Sequence, residues 1–197
     1  MTKPTTSASD WRHLLVRPVT ERIARGLIRL HISANALTVA GFLIVAGSAA
    51  LIVTRHLFWA GIVLLAGSLL DSLDGAVARL AGSAGRFGAM LDSALDRLSE
   101  GVVLIALVYI VSADGRPWAA AIGGLALLLS LMVSYTRARA EGLGISCSEG
   151  WFTRVERIII LVLGLLTGYI IAALAVLAVL SLVTFLQRLY TVWRKAR

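Results

Sequence analysis

Cysteine, histidine, proline and charge are all scarce in this 197-residue chain: one cysteine, three histidines, three prolines, and 15 % charged residues. The single Cys147 excludes an intrachain disulfide and has no partner at metal-ligand spacing. The histidines, His13, His31 and His56, are scattered through the first third and stand apart from the acidic residues, which argues against a zinc centre. Near the start, Lys3, Arg12, Arg17, Arg22, Arg25 and Arg29 are not followed by an uninterrupted apolar stretch with an Ala-x-Ala site, so no cleaved signal peptide is expected. With so few charges and no long polar tract, the chain has no room for a separate soluble domain.

Apolar residues fill the space instead. Hydrophobic residues make up 58 % of the sequence and the mean hydropathy is +0.86. Apolar stretches of nearly bilayer-spanning length recur along the chain, which marks an all-α integral membrane protein. Residues 1–9 are polar and read as disordered. Over residues 10–30, Leu14, Leu15, Val19, Ile23, Leu27 and Ile28 interleave with arginines, the pattern of an amphipathic interfacial helix that Pro18 should kink or delay. Six spans are predicted at 36–54, 58–80, 88–112, 117–138, 154–167 and 169–193. Ser33 and Asn35 are candidate caps for the first, and Thr167-Gly168-Tyr169 divides the last two. Residues 10–197 form one membrane domain on this reading.

Six spans put both termini on one side. Assigning that side to the cytoplasm leaves every lysine and arginine at the inner face except Arg55 and Arg116. The net charge of +8 is then a property of the cytoplasmic face of a multi-pass cell-membrane protein, suited to lipid headgroups and phosphate-bearing substrates. The same bases do not form a soluble basic module, so nucleic acid is not the expected partner.

The acidic residues concentrate between Asp71 and Asp96, in the run Asp71-x2-Asp74-Gly75-x2-Ala78-Arg79-x8-Gly88-x3-Asp92-x3-Asp96. A carboxylate at the centre of a membrane helix costs roughly 2.5–3.5 kcal/mol even on insertion scales, so four at regular spacing imply a shared cation. Separations of three and four residues put each pair on one helix face, and both outer aspartates lie about 12 Å in from the intervening turn. The two helices are expected to be antiparallel neighbours, with the four carboxylates meeting in a pocket open to the cytosol. An all-oxygen set selects Mg²⁺ or Mn²⁺, and four negative charges match two divalent ions of the kind that clamp attacking and leaving oxygens in phosphoryl chemistry.

This run resembles, at every spacing, the signature D-x2-D-G-x2-A-R-x8-G-x3-D-x3-D of the CDP-alcohol phosphotransferase family. The resemblance implies a six-helix membrane enzyme, usually a homodimer, that transfers a substituted phosphoryl group from a CDP-linked donor to an alcohol and releases CMP. It further implies that Asp71, Asp74, Asp92 and Asp96 hold two metal ions and that Asp96 doubles as general base. Ser33, Ala34, Asn35 and Ala36, with Gly75, Arg79 and Gly85, would contact the CDP moiety. Beyond the run, Ser134 to Glu141, Arg154-Val155-Glu156-Arg157 and Gln187-Arg188-Leu189 look like the actinobacterial phosphatidylinositol phosphate synthases. By that likeness the donor is CDP-diacylglycerol, the acceptor is inositol phosphate, and Arg137, Arg157 and Arg188 bind the acceptor phosphate. Two other readings stand beside it: glycerol 3-phosphate as acceptor, giving a phosphatidylglycerophosphate synthase, and a divalent-cation transporter lined by the aspartates.

Overall fold

The computed structural model describes residues 20–82, 85–147, 150 and 152–196, and every described regular element is a helix. Helix α1 covers residues 20–29. It is followed by α2 (Ala34–Val53), α3 (Leu57–Leu80), α4 (Arg86–Ala113), α5 (Pro117–Gly142), α6 (Arg154–Thr167) and α7 (Ile170–Lys195). Each predicted span has its helix, with ends displaced by four residues or fewer. The disordered segment expected at 1–9, the first half of the predicted interfacial helix and Pro18 lie outside the described residues.

Local chemistry sets the boundaries. The Ser33 hydroxyl accepts a hydrogen bond from the Ala36 amide at 3.2 Å, so Ser33 caps α2 and Asn35 lies inside the helix. At α6 the Glu156 carboxylate accepts from the Thr153 amide at 2.8 Å, completing a capping box. Gly168 ends α6 at φ +77, in the left-handed region where a side chain is disfavoured, and this breaks the long apolar tract where the sequence predicted.

The six long helices close into a ring. Helix α2 packs on α3 and α4, α4 on α5, α5 on α7, α7 on α6, and α6 back on α3. The interior is apolar, with Val103, Leu104, Leu107 and Ile110 of α4 against Leu161 and Leu165 of α6 and Leu174 and Leu177 of α7. Small residues bring α2 and α3 close, since a Cβ on Gly67 would lie 2.8 Å from the Val45 methyl and one on Gly41 would lie 3.2 Å from Asp71. Helices α3 and α4 are neighbours as expected, facing one another where Asp92 of α4 meets Asp71 and Asp74 of α3. Helix α2 packs on both, and at the C-terminal end of α3 and the N-terminal end of α4 the space between them is a cleft lined from all three helices. Opposed carboxylates and small residues there give the two helices little surface on which to close.

Helix α1 buries Ala24 against Leu37, Ala76 and Val77 while Arg22, Arg25 and Arg29 stay exposed. On the opposite end of the ring, Arg55 ties the α2–α3 turn to the end of α4 through Asp114, at 3.0 and 2.7 Å. Among the described residues, four helices, α2, α3, α5 and α7, are long and apolar enough to cross a membrane. Helix α4 carries too many charges for that criterion, and the 14 residues of α6 reach only about 21 Å.

Candidate active site

Asp71 and Asp74 lie one turn apart on α3, and Asp92 projects from the first third of α4. One carboxylate oxygen from each lies within 4.8 Å of the others, and they form the one such acidic cluster among the described residues. Asp71 and Asp74 are buried and Asp92 is half-buried. Asp74 is oriented by the Thr38 hydroxyl of α2, which donates to its Oδ2 at 2.6 Å.

Asp96, the fourth expected ligand, stands one turn further into α4, next to Asp71 at the edge of that trio. The guanidinium of Arg154, at the first position of α6, lies between them, with Nη1 2.6 Å from Asp71 Oδ2 and 2.6 Å from Asp96 Oδ1. The contact to Asp71 is an aligned hydrogen bond, whereas the buried Asp96 Oδ1 accepts none. An acidic trio with converging oxygens beside an orphaned fourth carboxylate oxygen fits hard divalent cations. Among the described residues, no histidine or cysteine joins the cluster.

Two cavities flank the carboxylates. The first, of about 210 Å³, opens between α2, α3 and α4 and is lined by Ala34, Asn35, Thr38, Asp74, Gly75, Arg79, Gly85, Gly88 and Asp92, among others. Glycine is what keeps it open: a Cβ on Gly88 would meet Asn35 Oδ1 at 3.1 Å, and one on Gly75 would meet the Arg79 guanidinium at 3.3 Å. Of the segment predicted to contact CDP, Ala34 and Asn35 face this cavity, while Ser33 and Ala36 form the cap hydrogen bond behind it.

The second cavity, of about 220 Å³, lies on the far side of Asp96, among α4, α5, α6 and α7. It brings together Arg137, Arg157 and Arg188, the three arginines predicted as one set from separate helices, with Arg97, Arg154, Asp96 and Glu100. Its lining holds five arginines and two carboxylates, a local excess of positive charge. The three predicted arginines differ in how they are held. Arg157 is 3 % exposed and makes a two-pronged contact with Glu100, Nε to Oε1 at 2.6 Å and Nη2 to Oε2 at 2.9 Å. The Ser130 hydroxyl donates to the same Glu100 oxygen. Arg188 is buried and donates to the Val133 carbonyl at 2.6 Å. Arg137 is half-exposed on α5 and pairs with Glu141 one turn on, at 2.8 Å.

Gly150, ahead of α6, lies against Arg188. Gly150 has φ +137, and a Cβ there would lie 3.1 Å from Arg188 Nε and 3.0 Å from the Thr184 methyl. Sequence reasoning missed Thr38, Glu100 and Arg154. Each carried a signal in helical periodicity: Thr38 four residues after Ala34, Glu100 four after Asp96, and Arg154 three before Arg157.

Residues 31–192 match the family model described as CDP-alcohol phosphatidyltransferase. The archaetidylinositol phosphate synthase of Methanothermobacter thermautotrophicus is 41 % identical over 188 residues, covering 92 % of this chain and 94 % of the relative. The crystal structure of Mycobacterium tuberculosis phosphatidylinositol phosphate synthase with CDP-DAG bound superposes with a TM-score of 0.83 at 34 % identity, over 89 % of this chain and 94 % of that one. The same mycobacterial enzyme in complex with manganese and citrate matches at a TM-score of 0.82 and 34 % identity, over 88 % of both chains. The sequence signature, the helical ring and these likenesses agree, and the chain belongs to the CDP-alcohol phosphatidyltransferase family.

Proposed function

We propose that this protein transfers the phosphatidyl group of CDP-diacylglycerol to inositol phosphate, giving phosphatidylinositol phosphate and CMP. The observation that carries the reading is the position of Asp96, at the boundary between the carboxylate cluster and a cavity lined by five arginines. A reaction that joins a CDP-linked lipid to a phosphorylated alcohol needs a proton acceptor at that boundary. The archaeal relative and the mycobacterial enzyme carry names that differ in the lipid half and share the inositol phosphate half, which favours this acceptor over glycerol 3-phosphate. A transport path would need polar groups through the depth of the bilayer, whereas the ring's interior from Val103 to Ile110 is packed against leucines.

In this mechanism Ala34, Asn35, Gly75, Arg79 and Gly85 receive the CDP group in the first cavity, with Ser33 and Ala36 holding the start of α2 in place. Asp71, Asp74, Asp92 and Asp96 would hold two divalent ions, Mg²⁺ or Mn²⁺, which would supply charge neutralisation at the pyrophosphate for an in-line displacement. Arg137, Arg157 and Arg188 bind the phosphate of the acceptor and aim its ring hydroxyl at the donor. Asp96 accepts the proton as the hydroxyl oxygen attacks the phosphorus bearing diacylglycerol, and the bond to CMP breaks. The contribution of the protein is chiefly positioning and electrostatics.

The same reading gives six spans, with α4 and α6 completing the four apolar helices, both termini and the active site at the cytoplasmic face of the cell membrane, and α1 lying in the interface. It treats residues 10–197 as one domain and the enzyme as a homodimer, as the family signature implies. The test is release of CMP from CDP-diacylglycerol by purified protein with inositol phosphate, free inositol and glycerol 3-phosphate as acceptors. Turnover with inositol phosphate alone is expected. Equal turnover with glycerol 3-phosphate would replace the acceptor while leaving the donor chemistry standing.

A further inference from the structure

Arg154 belongs to neither set of residues expected from the sequence, yet it makes the most central contacts in the site. A single nitrogen, Nη1, is shared between Asp71 of α3 and Asp96 of α4, at 2.6 Å from each. It thus links two carboxylates that the chain keeps on different helices, as a bound cation would. Its side chain remains 30 % exposed, against 8 % for Asp71 and 18 % for Asp96, and it lines the arginine-rich cavity. The guanidinium therefore has one face on the acidic cluster and open space on the other. A guanidinium and a divalent ion cannot occupy the same pair of oxygens, because both are cations and both need the same lone pairs. By contrast, Arg157 one turn later is buried and committed to Glu100 by two hydrogen bonds, so it is not free to exchange partners in this way.

We propose that Arg154 is a displaceable internal counter-ion of the aspartate cluster. It neutralises Asp71 and Asp96 in the metal-free protein, yields them when divalent ions bind, and turns its guanidinium into the adjoining cavity, where it adds to the phosphate-binding arginines. The proposal rests on the reading of the aspartates as metal ligands. Two consequences follow. Metal binding is weaker than the four carboxylates alone would give, since it must displace charge-assisted contacts. Metal and acceptor also bind with positive coupling, and by linkage the coupling is the same in both directions.

The test uses the full-length protein in detergent micelles, with Mn²⁺ titrated and the free ion read by electron paramagnetic resonance. Loss of a charge-assisted contact corresponds to about a ten- to hundredfold change in affinity. Arg154→Met should therefore bind Mn²⁺ about ten- to hundredfold more tightly than the parent, and its metal-free form should melt at a lower temperature that saturating Mn²⁺ restores. Arg154→Gln, neutral and polar, should tighten Mn²⁺ binding in the same direction and serves if the apolar side chain is poorly tolerated. Unchanged or weaker Mn²⁺ affinity in a folded neutral variant overturns the proposal. In the parent, Mn²⁺ should also tighten inositol phosphate binding severalfold by calorimetry, and in Arg154→Met that response should vanish. An equal response in both proteins overturns the link to the second cavity. Failure of the metal reading itself looks different: the parent would not bind Mn²⁺, or Asp71→Asn would leave its binding unchanged.

Discussion

The Arg157–Glu100 pair allows the acceptor role of an arginine to be separated from its part in folding. Arg157 is 3 % exposed and its guanidinium meets both oxygens of Glu100, at 2.6 and 2.9 Å. Removing one member of a buried pair leaves an uncompensated charge and costs about 3–5 kcal/mol, whereas replacing both with apolar residues of similar size is close to neutral. Arg157→Met and Glu100→Leu should each lower thermal stability by that order, and the double variant should recover most of the loss. Binding should behave otherwise. A lost charge-assisted contact to phosphate, about 1.5–3 kcal/mol, raises the apparent KM for inositol phosphate about ten- to hundredfold. The double variant still lacks that contact, so its KM for inositol phosphate should stay high while its stability returns and its KM for CDP-diacylglycerol stays near the parent value. The assay is CMP release under varied donor and acceptor, paired with thermal melts of the same preparations. If the double variant regained the parent KM for inositol phosphate, Arg157 would be a structural partner of Glu100 and the acceptor site would have to be drawn without it.

Stripping divalent ions with excess EDTA should abolish CMP release, and Mg²⁺ or Mn²⁺ should restore it; full activity in EDTA would remove the metal reading of the aspartates. Asp96→Asn should lose turnover yet retain CDP-diacylglycerol binding, because the amide keeps the shape and cannot accept the proton, and near-normal turnover would move the general base elsewhere. Gly150→Ala should raise the KM for inositol phosphate with little effect on that for the donor, since the new methyl group meets Arg188 within 3.1 Å at a backbone angle that disfavours it; an unchanged KM would show that the loop yields without moving Arg188. In a Cys147→Ala background, single cysteines at Arg55 and Gly115 should label from outside the cell and those at Gly82 and Gly144 from inside, the pattern of six spans; labelling of all four from one side would refute that topology.

The parts of this protein that were legible in its sequence are those written at short range. The periodic apolar stretches, the Ser33 cap and the Gly168 break gave helix boundaries close to those observed, because each depends on residues within a turn or two. The aspartate run was legible for the same reason, since spacings of three and four fix a helix face. What could not be read was which helices touch. The run from 71 to 96 pointed to α3 and α4 as facing neighbours but gave no sign of α2, which packs on both and contributes Thr38 to hold Asp74. Pairing across the ring was equally hidden. Glu156 lies beside Arg157 in sequence but caps its own helix, and the partner of Arg157 comes from Glu100, 57 residues away.

The two helices that fall short as simple membrane spans carry a large share of the site's charges. Helix α4 brings Asp92, Asp96, Arg97 and Glu100, and α6 brings Arg154 and Arg157 within only 14 residues. Isolated in hydrocarbon, each such charge would be costly; here the principal ones arrive with an opposite charge from another helix, Arg154 with Asp71 and Asp96, and Arg157 with Glu100. Pairing offsets desolvation only when the partners are already placed, so α4 and α6 depend on the ring of apolar helices for their positions. The ring in turn gains little from them in apolar burial at this end, because the third that holds the site is given to cavities lined by arginine, aspartate and glycine. An apolar repacking of that third should therefore stabilise the fold while removing the chemistry. That the chain retains the charged arrangement at a cost to simple membrane insertion is what a catalytic site, and not a packing solution, requires.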